Sequence, residues 1–139
     1  MYRYFYRATS GDARRAEDLT QETFVAAVRA FNRGQPDAVT IPWLMGVARH
    51  KLIDDHRRRT REQRKIRRLT EHTPSSAQFD DSVFDAIDDR EALALLDGLT
   101  ETHRLVLVLR YLDGLPVSEV AAAIGRTIGA TESILIRAR

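Results

Sequence analysis

The chain contains no cysteine, so a disulfide framework and thiolate metal ligation are both excluded. That composition is compatible with a reducing compartment. It also lacks any run near the roughly 20 apolar residues a membrane span requires. The opening Met1-Tyr2-Arg3-Tyr4-Phe5-Tyr6-Arg7 is aromatic and basic, without the apolar core of a signal peptide. Proline and glycine are sparse and far apart, which suits helices joined by short turns. Strand-like alternation is missing throughout. A cytoplasmic all-α protein without membrane insertion is the expectation.

Catalytic signatures are missing as well. The four histidines, His50, His56, His72 and His103, are scattered. No phosphate loop, activated nucleophile or metal-ligand spacing is present. These absences argue against an enzyme, and no cofactor is expected.

The charge is unevenly distributed. A net charge of +2 conceals a basic block followed by an acidic one. Arg49, Lys51, Arg57, Arg58, Arg59, Arg61, Arg64, Lys65, Arg67 and Arg68 crowd the first. The second runs from Glu71 through Asp80, Asp81, Asp85, Asp88, Asp89, Glu91 and Asp97 to Glu101, with only Arg90 opposing. Adjacent blocks of opposite sign describe the chain better than their sum.

Apolar periodicity predicts about six or seven helices in two small bundles joined by a flexible linker. Residues 1–9 read as the end of a helix whose beginning is absent. Asp12 is placed to cap a helix running to about Asn32, with Phe24, Ala27, Val28 and Phe31 as its buried stripe. Thr40 caps the next, with Pro42 tolerated in the first turn. Its apolar stripe is Leu44, Val47, Ala48 and Leu52, which gives way to the basic block after Ile53. Residues 69–83 carry Pro, Ser and Asp without periodicity and read as the linker. A new apolar pattern starts at Phe84. Thr100 caps a helix bearing Leu105, Val108, Leu109 and Leu112, which Asp113-Gly114 stops.

The last segment has the form of a helix-turn-helix. Ala121 to Ala123 permit close packing, and Ile124-Gly125-Arg126-Thr127 forms a short glycine-containing turn. Thr127 caps the second helix. Ile128, Thr131, Leu135 and Ala138 are expected inward, while Arg126, Ala130, Ser133 and Arg137 face outward. Arginine and serine there suit phosphate or base edges. Glu132 and exposed Ile134 and Ile136 do not, and exposed isoleucine also fits a protein contact. A helical hairpin without a DNA role satisfies the same pattern.

Two further helices stand out. Trp43 precedes the arginine run Arg57-Arg58-Arg59 on one helix, where an aromatic could stack on an unpaired base and arginines hold phosphates. The competing assignment for Trp43 is core packing. Glu17, Asp18 and Glu22 lie on the helix of Phe24 with no histidine nearby, so they form a solvated or protein-docking face and not a metal site.

Taken together these segments resemble extracytoplasmic-function sigma factors. Residues 16–24, AEDLTQETF, are similar to the polymerase-binding helix of that family. Residues 43–58, WLMGVARHKLIDDHRR, resemble its promoter-melting and minus-10-reading helix. Residues 105–125 and 129–139 resemble its minus-35 domain and recognition helix. The resemblance implies a polymerase-docking and minus-10 domain over 1–68, the linker 69–83, and a minus-35 domain over 84–139.

It also implies partners and sites. Core RNA polymerase and promoter DNA are the expected partners, with an anti-sigma protein as a further one. Asp18, Gln21, Glu22 and Phe24 fall in the docking motif. His50, Asp54, Arg57 and Arg58 fall in the minus-10 site, with Trp43 and Arg49 beside them. Arg126, Thr127, Ala130, Ser133 and Arg137 fall in the minus-35 reader. Family members usually begin one helix earlier. This chain departs at Ala48-Arg49-His50, where Ala-Arg-Asn is common, and at Glu132 and Ile134, where Lys and Arg are common. A dimeric helix-turn-helix regulator acting without polymerase is the alternative, but it leaves AEDLTQETF without a role.

Overall fold

The computed structural model describes residues 1–67 and 98–138. Among them are six α-helices and no strand. They are α1 (Tyr2–Ala8), α2 (Ala13–Asn32), α3 (Ile41–Arg67), α4 (Glu101–Leu107), α5 (Val117–Ile124) and α6 (Ile128–Ala138). The chain divides into two compact units, Met1–Asp55 and His56–Arg139, with the boundary inside α3. The expected linker 69–83 and the apolar pattern from Phe84 through Leu96 lie outside the described residues.

Local chemistry sets the helix starts. Asp12 Oδ1 accepts the Arg15 amide at 3.0 Å and opens α2. Thr40 Oγ1 accepts the Trp43 amide at 3.3 Å at the head of α3. Thr100 Oγ1 accepts the His103 amide at 3.3 Å at the head of α4. Thr127 Oγ1 accepts the Ala130 amide at 3.2 Å at the head of α6. Each hydroxyl or carboxylate satisfies an amide that a helix start leaves unpaired.

In the first unit α1 packs on α2. Tyr4, Phe5 and Ala8 are buried on α1, and Ala16, Leu19, Thr23 and Ala30 on α2. Small side chains on α2 allow that approach. Thr23 is fully buried because its hydroxyl donates to the Leu19 carbonyl of its own helix at 2.8 Å. Ala48, Leu52 and Ile53 are the buried apolar positions of α3 in this unit, matching the expected stripe in part. Leu44 and Val47 are only half-buried.

The expected stripe of α2 is not buried. Phe24 is 49% exposed, Val28 58% and Phe31 63%. Helix α2 carries two apolar stripes about 100° apart. The one facing α1 is the small-residue stripe through Leu19 and Thr23, so the aromatic stripe is left on the surface.

In the second unit α4, α5 and α6 pack on one another. Leu105 to Leu109, Val120, Ala121, Ala123, Thr131 and Leu135 form the core. Helix α4 runs on into a single π-type turn over Val108–Leu112, closed by the Asp113 amide on the Val108 carbonyl at 2.9 Å. Leu112 ends 48% exposed. Gly114 then adopts φ +67°, as its position predicts.

Candidate nucleic-acid and protein interfaces

The acidic shoulder of α2 begins with its fixed partners. Arg15 and Asp55 form a buried ion pair, with Nε and Nη2 each 2.6 Å from Oδ2. Their side chains are 12% and 5% exposed. This bond joins α2 to α3 across 40 residues of sequence, and neither residue had been singled out for it. Glu22 meets Lys51 at 3.2 Å in a solvent-exposed pair. Asp18, Gln21 and Glu22 are all exposed. Helical register sets them side by side and places Phe24 about 60° beyond Gln21. The expected docking residues therefore share one surface, a polar strip bordering the uncovered stripe of Phe24, Val28 and Phe31. Exposed apolar groups at that density mark a contact surface.

Helix α3 carries the second set. Trp43, His50, Asp54 and Arg57 are spaced by seven, four and three residues, and Arg58 follows Asp54 by four. That register puts all five on one side of α3. His50, Asp54, Arg57 and Arg58 are exposed, while Trp43 is half-buried. Trp43 is thus partly packed and keeps part of its side chain accessible. Arg49 lies about 120° away from Trp43 around the helix and is half-buried, so it stands apart from the shared side.

The turn between α5 and α6 has the geometry of a helix-turn-helix. Gly125 takes φ +66°, a left-handed conformation that favours glycine. Its amide donates to the Ala122 carbonyl at 3.3 Å, and the Arg126 amide donates to the Ala121 carbonyl at 3.0 Å. Thr131 and Leu135 are buried as expected, and Arg126, Thr127, Ser133 and Arg137 are exposed. Ala130, Ser133 and Arg137 share one side of α6, with Ala130 half-exposed, and Arg126 lies in the turn before it.

Three expectations on this helix need correction. Ile128, the first residue of α6, is 51% exposed and not inward, although Thr131 three residues on is fully buried. Ile134 is half-buried, beside Leu135 in the core-facing half of the helix, whereas Ile136 is 70% exposed. Ser133 donates its hydroxyl to the Gly129 carbonyl at 2.9 Å, so it meets a ligand as an acceptor. The side chain of Ala138 lies outside the described residues.

His103, on α4, was not singled out as a site. Its Nδ1 is buried without a hydrogen-bond partner. Burial, and secondarily the Arg137 guanidinium, hold its pKa below the ordinary histidine value. Among the described residues no group of His, Asp and Glu could hold a metal ion, and no helix is long and apolar enough to cross a membrane.

Comparison with known proteins agrees with both halves of this geometry. Residues 1–62 match Sigma-70 region 2, and residues 95–139 match Sigma-70, region 4. The probable RNA polymerase sigma-C factor of Mycobacterium bovis is 32% identical over 134 residues, covering 92% of this chain and 68% of that protein. The sigma factor CarQ of Myxococcus xanthus is 36% identical over 115 residues, 83% of this chain and 65% of that protein. The ECF sigma factor BldN of Streptomyces coelicolor is 30% identical over 144 residues, covering 99% of this chain and 53% of that protein. Among solved structures, the sigma factor RpoE from Bartonella quintana, in complex with the anti-sigma factor NepR, shares the fold with a TM-score of 0.54. That likeness is at 23% identity and covers 98% of this chain and 83% of the other. The chain belongs to the extracytoplasmic-function family of RNA polymerase sigma factors.

Proposed function

We propose that the chain directs core RNA polymerase to promoter DNA as an adaptor without covalent chemistry of its own. The polymerase supplies catalysis, and this chain supplies sequence choice, acting in the cytoplasm. Residues 1–68 serve polymerase docking and the minus-10 element, residues 69–83 link, and residues 84–139 serve the minus-35 element. The observation that carries this reading is the exposed side of α3, where His50, Asp54, Arg57 and Arg58 line up on a helix that follows an acidic, partly apolar docking surface.

Each surface has a chemical task. Asp18, Gln21 and Glu22 offer acceptors to a basic protein surface, and Phe24 offers apolar area. Arg57 and Arg58 hold phosphates of a separated strand, and His50 and Asp54 meet exposed base edges. Arg126 and Arg137 flank the major-groove side of α6, with Ser133 between them as an acceptor. Two small readers share few phosphate contacts, so DNA binding by the free chain is weak and salt-sensitive. The Bartonella sigma factor was solved with an anti-sigma factor, and a protein antagonist of that class fits the exposed stripe of α2.

A dimeric operator-binding regulator is the lesser reading, since it gives the region 2 segment no role. Transcription from a promoter library with purified core polymerase tests the proposal. Promoter-specific transcripts that depend on this chain support it. Failure to retain core polymerase in a pull-down, together with a footprint on DNA alone, favours the regulator.

A further inference from the structure

The exposed side of α6 carries side chains that holding phosphates does not explain. Thr131 and Leu135 are buried and Ile134 is half-buried, which fixes the packed side. At about 100° per residue, Gly129, Ser133 and Ile136 lie opposite it, with Glu132 on one edge and Arg137 on the other. Ile136 is 70% exposed, more than any other large apolar side chain described in the second unit. Glu132 is exposed, and its carboxylate has no hydrogen bond or ion pair among the described residues. A Cβ added at Gly129 would meet nothing within 4 Å, so packing does not call for glycine there. Glycine inside a helix costs stability, but a bare backbone lets a ligand approach closely.

An acid repels phosphate and isoleucine makes no hydrogen bond, yet both have complements on base edges. The Ser133 hydroxyl donates to the Gly129 carbonyl at 2.9 Å, so outward it only accepts. The Glu132 carboxylate also only accepts. From Glu132 to Ser133 this side therefore presents acceptors and apolar surface, without a side-chain donor. Guanine shows two acceptors in the major groove, and such a surface rejects it. Cytosine shows its N4 amino donor there, and thymine its C5 methyl. Adenine sets an acceptor, N7, beside its N6 donor, and that acceptor repels a carboxylate. The cations suited to phosphates stand at the margins, Arg126 in the preceding turn and Arg137 at the far edge.

We propose that Glu132 and Ile136 set the base choice of the minus-35 reader. Glu132 accepts a hydrogen bond from the N4 amino group of a cytosine, and Ile136 packs against the methyl group of a thymine. The inference rests on the minus-35 role proposed above for α6. It makes this helix a reader of cytosine and thymine, where a lysine or arginine would read guanine.

Selection of duplexes from a random-sequence library tests the assignment, using the full chain bound to purified core polymerase. Wild type is compared with Glu132→Lys, Ile136→Ala and Arg137→Ala. Wild type is expected to enrich a cytosine and a thymine within a few base pairs of each other. Glu132→Lys is expected to move the first preference to guanine, because lysine donates to O6 and N7. Ile136→Ala is expected to erase the second. Replacing that thymine by deoxyuridine, which lacks only the methyl, is expected to weaken wild-type binding about threefold and to leave Ile136→Ala unchanged. The deoxyuridine arm alters the DNA alone, so it serves even if a variant misfolds. Equal wild-type affinity for thymine and deoxyuridine overturns the role of Ile136. A wild type that enriches no cytosine, or a cytosine preference that survives Glu132→Lys, overturns the role of Glu132. Enriched positions that respond to Arg137→Ala but to neither other variant leave α6 a reader and overturn the inference. Positions that respond to none of the three overturn the minus-35 role of α6 itself.

Discussion

The Arg15–Asp55 pair invites a quantitative test. Asp55→Ala leaves a guanidinium 12% exposed with its carboxylate removed. Breaking a buried pair by deleting one partner costs about 3–5 kcal/mol, because the remaining charge stays desolvated. A unit the size of Met1–Asp55 has roughly 3–8 kcal/mol of stability in total, at about 0.05–0.15 kcal/mol per residue. The substitution is therefore expected to consume most of it. Trp43 is the sole tryptophan and lies in this unit, so its fluorescence in urea reports the unit selectively. With a slope near 1 kcal/mol per molar urea, the midpoint should fall by about 3 M or the unit should already be open in water. The double variant Arg15→Met/Asp55→Leu should cost less than Asp55→Ala, since neither charge then remains buried. A midpoint shift below about 1 M for Asp55→Ala, or a double variant worse than the single, would refute the reasoning.

Further outcomes follow from the same geometry. Phe24→Ser combined with Phe31→Ser should lower stability by no more than about 1 kcal/mol, because both rings are half-exposed or more, yet should weaken retention of core polymerase in a pull-down. In the fold the pKa of His103 is held below its ordinary value of 6.5 by burial and then by Arg137. The unfolded chain takes up that proton first as pH falls, so the second unit loses stability below about pH 6.5 and the loss levels off beneath the folded pKa. Thermal unfolding across that range should be flatter in His103→Gln. Gly125→Ala meets no atom within 4 Å but must hold φ +66°, costing about 1–2 kcal/mol in urea unfolding of the second unit followed by circular dichroism.

The sequence was most legible where structure is local. Asp12, Thr40, Thr100 and Thr127 were each readable as caps because donor and acceptor lie three residues apart. The turns at Gly114 and Gly125 were readable because glycine marks a helix end, and both glycines take positive φ. Periodicity was less sufficient. It located the stripe of Phe24, Val28 and Phe31, but a stripe does not say whether another element covers it, and here the alanine side of α2 took that place. Ile128 was misplaced likewise, since register gives the side of a helix but not which of its positions a neighbour covers. Interactions at long separation had no sequence signal. Asp55 stood in a basic block as one of a few opposing charges, and nothing marked Arg15 as its partner. For the candidate site, the family resemblance singled out His50, Asp54, Arg57 and Arg58, and helical register gives them a common side of α3. The hydrogen bonds of Arg57 to the carbonyls of Ala122 and Ala123, some 65 residues away, had no such signal.

The threonines buried deepest in each unit have a consequence for how these helices tolerate change. Thr23 and Thr131 sit at complete burial, and each spends its hydroxyl on the carbonyl four residues back in its own helix, Leu19 and Thr127 respectively. Neither owes a polar bond to a neighbouring helix, so shape alone governs what may lie against them. Valine at either position should therefore be nearly silent, within about 1 kcal/mol, since the carbonyl it abandons keeps its helical amide. Drift at these two positions would leave the interfaces intact, while a larger side chain would pry the helices apart.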